Sequence, residues 1–217
     1  MTARPVLTSG ELRDAYAPRD VLASERLLHG MVFDVVADRV DLGAAGTVRR
    51  EYVHHPGAVG ILALDDHERV LFVRQYRHPV GYDLWELPAG LLDVHGESPV
   101  SAAQRELAEE ADLRAERWDV LLDWFNSPGG MDEAIRVFLA RDLSDVPHDE
   151  RFDREHEELD MPSAWVRLDD ARDAILAGTV HNPTAVVGVL AACAARKQGW
   201  RTLRPADSPW PEHKAYR

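Results

Sequence analysis

Apolar residues along the chain recur first at steps of two and later at steps of three and four, and the change of period separates strands from helices. From Ser24 to Tyr52 the pattern predicts short strands: "GMVFDVVADRVDL" alternates in places, and "GAAG" makes a turn before "TVRREYV". In "GAVGILALDDHERVLFVRQYRH" two apolar strands flank the turn-forming "DDHE", which predicts a hairpin. "DLWELPAG" reads as a short strand ending at Pro88 and Gly90. After the loop "GLLDVHGE" a helix begins, with Ser98 at the N-cap and Pro99 at the first helical position, where its missing N–H costs nothing. Val100, Ala103, Leu107 and Ala111 then form a buried stripe. Strands follow at "WDVLLDW", "EAIRVFLARDL" and "SAWVRLDD". Two helices come last, "DDARDAILAG" and "NPTAVVGVLAACAARK", the second capped by Asn182 with Pro183 behind it.

Strands and helices mixed in this order predict an α/β fold, a sandwich with helices on both faces of a mixed sheet, plus a small N-terminal β-sheet. Residues 1–52 are expected to form the extension and small sheet, 53–200 the main domain, and 201–217 a proline-rich tail draped over the surface.

The formal net charge is −13, which argues against nucleic acid or an anionic membrane as a main partner. It leaves room for a small phosphorylated ligand held by metal ions and a few arginines. No apolar run approaches the roughly 18 residues of a membrane span. The opening segment lacks a signal-peptide pattern, and the one cysteine, Cys193, lies in an apolar helical run. A reducing cytoplasm is the expected location, with Cys193 a buried structural thiol.

One stretch strains against its own element. "RELAEEADL" puts Glu106, Glu109 and Glu110 within an arc of about 100° on a helix. Glu106 and Glu110 form a like-charge i,i+4 pair costing roughly 0.2–0.5 kcal/mol. Either the stripe is plain solvated surface, or a cation belongs there. Magnesium and manganese ions want such hard oxygen ligands.

Taken together, "AGLLDVHGESPVSAAQRELAEEADL" (89–113) resembles the signature of the Nudix hydrolases. Gly90 opens it, Glu97 follows, seven residues intervene, and Arg105-Glu106 with Glu109-Glu110 closes it. Two departures stand out: six residues separate Gly90 from Glu97 where the family has five, and Asp112 replaces a final glycine. Asp tolerates the left-handed geometry this position needs better than most residues. The resemblance implies a Nudix-type α/β/α sandwich in which Glu106, Glu110 and the Ala89 carbonyl ligate Mg²⁺ or Mn²⁺, Glu109 contributes, and Glu97 pairs with Arg105 to hold the loop.

"VRQYRHPVGYDLWELPAG" (73–90), "RREYVHHPGAV" (49–59) and "NSPGGMDE" (126–133) resemble the ADP-ribose pyrophosphatase subgroup. By that resemblance Arg50 and Arg77 contact substrate phosphate, as guanidinium forks suit, or else are surface arginines. Ser127 and Pro128 lie where the subgroup places a characteristic proline, or simply terminate a strand. Phe33 is either a core side chain or stacks on adenine. The general base is expected on the acidic loop "DREHEELDMPSAWV", at Glu157 or, one residue on, Glu158.

The resemblance therefore implies hydrolysis of ADP-ribose to AMP and ribose 5-phosphate by a homodimer. Two rival readings remain: the same chemistry on another nucleoside diphosphate derivative such as a nucleotide sugar, and a non-catalytic domain that senses ADP-ribose.

Overall fold

The computed structural model describes residues 4–152 and 161–217. The chain divides into two compact units, Met1–Val53 and His54–Arg217.

The first unit carries strands β1 (Val21–His29) and β2 (Asp34–Asp41), joined with β3 (Thr47–His54) in a three-stranded sheet of that order. Gly43 and Gly46 take positive φ values of 64° and 85° in the turn that "GAAG" predicts. Every residue of β1 is exposed.

In the second unit β4 (Ala58–Ala63) lies inside a mixed five-stranded sheet. It runs antiparallel to β7 (Ala89–Leu91) on one edge and parallel to β9 (Ala134–Asp145) on the other. β8 (Leu113–Phe125) continues beyond β9, and β11 (Arg204–Pro205) closes that edge. A second sheet has β5 (Arg69–Arg77) between β6 (Tyr82–Glu86) and β10 (Ser163–Arg167). Among the described residues three α-helices complete the unit: α1 (Pro99–Ala111), α2 (Leu168–Leu176) and α3 (Pro183–Lys197).

The hairpin expected around "DDHE" forms only at its neck. Leu64 bridges Val70 and the Asp65 N–H donates to Arg69 O, after which β4 and β5 part into different sheets. β9 takes one edge of β4 along its whole length and β7 the other over Ala58–Gly60, which leaves β5 to pair with β6 and β10 instead. The expected strand ending at Gly90 likewise breaks at Leu87-Pro88, leaving β7 as a separate strand.

Alternation along β4 builds two cores. Val59, Ile61 and Ala63 pack with Leu71, Phe138 and with Ala102, Ala103 and Leu107 of α1. Leu62 and Leu64 pack with Phe72, Val137, Leu139 and with Ala185, Val189 and Ala192 of α3. Helices thus cover both faces, as the pattern predicts. α3 can approach closely because Gly60 leaves space: a Cβ there would lie 2.6 Å from Thr184 Cγ2. Cys193 is buried in the α3 core, where burial pushes its thiol up and away from reactivity.

The closing segment lies mostly exposed, and it is pinned to the second unit at a few points. Arg136 of β9, almost wholly buried, donates to Ser208 O (2.7 Å) and Pro209 O (3.1 Å) and stacks its guanidinium over Trp210 at 4.7 Å. Trp210 and His213 are 2% and 3% exposed and anchor a segment most of whose residues stay exposed. An arginine that needs acceptors beyond Asp123 draws the segment inward.

Candidate functional site

The site is built around α1. Ser98 caps the helix by accepting the Ser101 N–H (3.2 Å), and Pro99 starts it. Ala102, Ala103 and Leu107 take the core face, which places Arg105, Glu106, Glu109 and Glu110 on its half-buried flank. Asp112 ends the helix in the left-handed region at φ 52°, ψ 33°, its N–H donating to Ala108 O. Asp therefore takes the conformation that the family's glycine would supply.

Arg105 answers part of the charge crowding. Its Nε and Nη2 donate to Glu97 Oε1 and Oε2 at 3.1 and 3.0 Å, a bidentate fork that ties loop to helix. Its Nη1 donates to Glu106 Oε1 (2.7 Å) and Glu109 Oε2 (3.0 Å). The Glu97 hydrogen bonds, with support from Glu106 and Glu109, raise the Arg105 pKa further above its usual value despite burial. Glu110 turns the other way and accepts the Ala89 N–H at 3.0 Å.

β7 lies flush against this flank. A Cβ on Gly90 would fall 2.0 Å from both Cδ and Oε1 of Glu106, so only glycine admits the carboxyl at that place. The structure therefore brings together Ala89, Gly90, Glu97, Arg105, Glu106, Glu109 and Glu110, seven residues singled out in the sequence.

Among the described residues no three His, Cys, Asp or Glu side chains stand in a ready metal-binding arrangement. The geometry says why: three carboxylates turn to Arg105 and the fourth to the Ala89 N–H. The donor set nevertheless fits a divalent cation. Three carboxylates share one guanidinium with a fourth close by on the same helix, all oxygens are hard, and the Gly90 cradle holds Glu106 beside the strand.

Arg77 is held by a buried acid. Its Nε and Nη2 donate to Glu86 Oε1 (2.9 Å) and Oε2 (2.6 Å). Glu86 is 3% exposed and ends β6 three residues before Ala89. Sequence reasoning missed Glu86; its signal was an acid inside the otherwise apolar "LWELP". Ser127 and Pro128 are exposed in the turn between β8 and β9, Ser127 at φ 53°. Arg50, exposed in β3, donates to Arg49 O, and Phe33 is 43% exposed, which overturns its core reading. Both belong to the first unit. Glu157 and Glu158 lie outside the described residues.

No described helix is long and apolar enough to cross a membrane. The NUDIX domain family matches residues 54–185, more than half of the chain. An ADP-ribose pyrophosphatase of Mycobacterium tuberculosis is 44% identical over 88% of this chain and 90% of its own length. A CMP-5'-(N-acetyl-N-hydroxy-3-aminopropyl)phosphonate hydrolase of Streptomyces rubellomurinus is 35% identical over 77% of this chain and 79% of its own. In three dimensions the fold resembles a crystal structure of an ADP compounds hydrolase, with TM-score 0.68 and 21% identity, covering 86% of this chain and 99% of that one. With its signature loop seated against α1 and that match spanning the second unit's core, the chain belongs to the NUDIX family.

Proposed function

We propose that the protein hydrolyses ADP-ribose to AMP and ribose 5-phosphate, using Mg²⁺ or Mn²⁺ held by Glu106, Glu109, Glu110 and the Ala89 carbonyl. The observation that carries the site assignment is the Gly90 cradle, which sets the Glu106 carboxyl against β7. The substrate assignment is supported by the 44% identity to an ADP-ribose pyrophosphatase along nearly the whole chain.

In this reading each residue has a distinct task. The Glu97–Arg105 fork fixes the loop to α1 and keeps Glu106 and Glu109 converged. A bound divalent cation supplies neutralisation of the diphosphate and a lowered pKa of water. Arg77, oriented by Glu86, presents its positive charge to the phosphates, and Arg50 does the same. Glu157, or else Glu158, takes the proton from the attacking water as the P–O–P bridge breaks. Ser127 and Pro128 contact the rest of the substrate, and Phe33 stacks on adenine.

The fully exposed β1, with Leu22, Leu27 and Leu28 among its residues, supports a homodimer assembled through the first unit. A cytoplasmic location agrees with the buried free thiol of Cys193.

A second reading keeps the chemistry and changes the leaving group. It is favoured by the relative named for a CMP-phosphonate conjugate. Comparison of kcat/KM across ADP-ribose, nucleotide sugars and CMP conjugates tests the assignment, with product identification by chromatography. ADP-ribose should give the highest value, with AMP and ribose 5-phosphate as products. A preference for another conjugate would replace the substrate, and binding of ADP-ribose without turnover of any conjugate would favour a sensor.

A further inference from the structure

The segment 208–217 reaches both ends of the signature loop, one through Gly57 and the other directly. At the loop's start the Leu92 N–H donates to Gly57 O (3.1 Å). Gly57 holds a left-handed φ of 92° directly beneath His213, where an added Cβ would lie 2.2 Å from Nε2. His213 Nε2–H donates to Pro56 O (2.8 Å) while Nδ1 accepts the Ala215 N–H (3.1 Å), a pairing that requires the neutral tautomer. Lys214 Nζ adds bonds to His55 O (2.6 Å) and Asp132 Oδ2 (3.1 Å).

At the loop's end the Tyr216 hydroxyl donates to Glu97 O at 3.3 Å. The Tyr216 ring stacks on Trp210 at 5.9 Å with planes 9° apart, and Trp210 is locked by Arg136. Glu97 is the residue whose carboxylate forks Arg105, which in turn gathers Glu106 and Glu109. A continuous path thus runs from the buried Arg136 through Trp210 and Tyr216 to the acidic flank of α1.

We propose that Tyr216 is a positioning residue of the site: it fixes the Glu97 backbone, and through Glu97 and Arg105 it sets the carboxylates of α1. It touches no substrate. Burial raises the phenol pKa, so the hydroxyl stays a donor across the working range of pH.

The kinetic part of this inference rests on the activity proposed above, and the structural part does not. Tyr216→Phe keeps the stacked ring and removes the hydroxyl alone; Tyr216→Ala removes both. Loop order is read in the metal-free protein as hydrogen exchange at amides 93–97, and catalysis as kcat and KM for ADP-ribose. Both variants should exchange faster at 93–97, and both should lose about three- to ten-fold in kcat with KM unchanged, the scale of one hydrogen bond. Only the Ala variant should also melt earlier. Unchanged exchange at 93–97 in Tyr216→Phe would overturn the proposal, as would a loss confined to KM. Should the wild type leave ADP-ribose intact, the substrate reading fails, and the exchange data still decide the role of Tyr216.

Discussion

Gly90 and Glu106 meet so closely that a single methyl group on the glycine would fall 2.0 Å from the carboxyl Oε1. Gly90 is therefore a spatial requirement of the acidic helix, separate from any need of the backbone for unusual dihedrals. Gly90→Ala should push Glu106 aside by an ångström or more. The expected loss is about 100-fold in kcat, the scale of a misplaced catalytic group, with little change in far-ultraviolet circular dichroism. Activity within a factor of two of wild type would show that Glu106 need not sit there.

Arg77 and Glu86 form a bidentate pair in which the acid is buried and the arginine half exposed. Arg77→Ala leaves the Glu86 carboxylate without its fork and should cost about 1–3 kcal/mol in urea unfolding. Arg77→Ala combined with Glu86→Gln should recover part of that stability, because a neutral amide is cheaper to bury. Turnover should stay low in both. Full recovery of turnover in the double variant would leave Arg77 a purely structural role.

Asp112 holds φ 52° where the family pattern has glycine. Asp112→Gly should leave activity unchanged and alter stability by less than about 1 kcal/mol. Asp112→Val, a β-branched residue in the left-handed region, should destabilise by about 1–3 kcal/mol. Thermal melts of the two variants decide the matter. Equal melting temperatures would mean that the helix end relaxes out of this conformation.

Burial holds the pKa of His213 below its usual value, and burial does the same for His55 against the opposing pull of Glu133 and Asp132. Above about pH 6.5, the ordinary histidine pKa, both rings are neutral folded and unfolded, and their stabilisation is complete. As the pH falls below that value the unfolded chain takes up protons that the native state refuses. Stability should then decline by up to about 1.4 kcal/mol per pH unit for each ring. Melting temperatures between pH 7.5 and 5.5 read this, and His213→Gln should flatten the slope. A melting temperature constant over that interval would contradict it.

Local signals proved the most legible in the sequence. Ser98 with Pro99 and Asn182 with Pro183 cap their helices as expected, each side chain accepting a backbone N–H three residues on. Such caps depend on four consecutive residues and little else. The crowding of Glu106, Glu109 and Glu110 was legible too, because helix geometry alone places them on one flank. Partners distant in sequence were not. An apolar run marks β4 and β5 as strands but says nothing about which edges they occupy, and the expected hairpin failed on that point. Trp210 and His213 sit among prolines without any period, so their burial under Arg136 left no trace in the pattern. Glu86 was passed over, because the partner that explains it, Arg77, lies across the β5–β6 ribbon.

The proposed function places metal-dependent hydrolysis on the acidic flank of α1. Its most direct test is AMP release from ADP-ribose with and without millimolar Mg²⁺, wild type beside Glu110→Gln. Turnover should appear only with the metal and fall by at least about 100-fold in the variant, which removes one of the negative charges that hold the cation. Equal activity of variant and wild type, or full activity in the presence of a chelator, would contradict it.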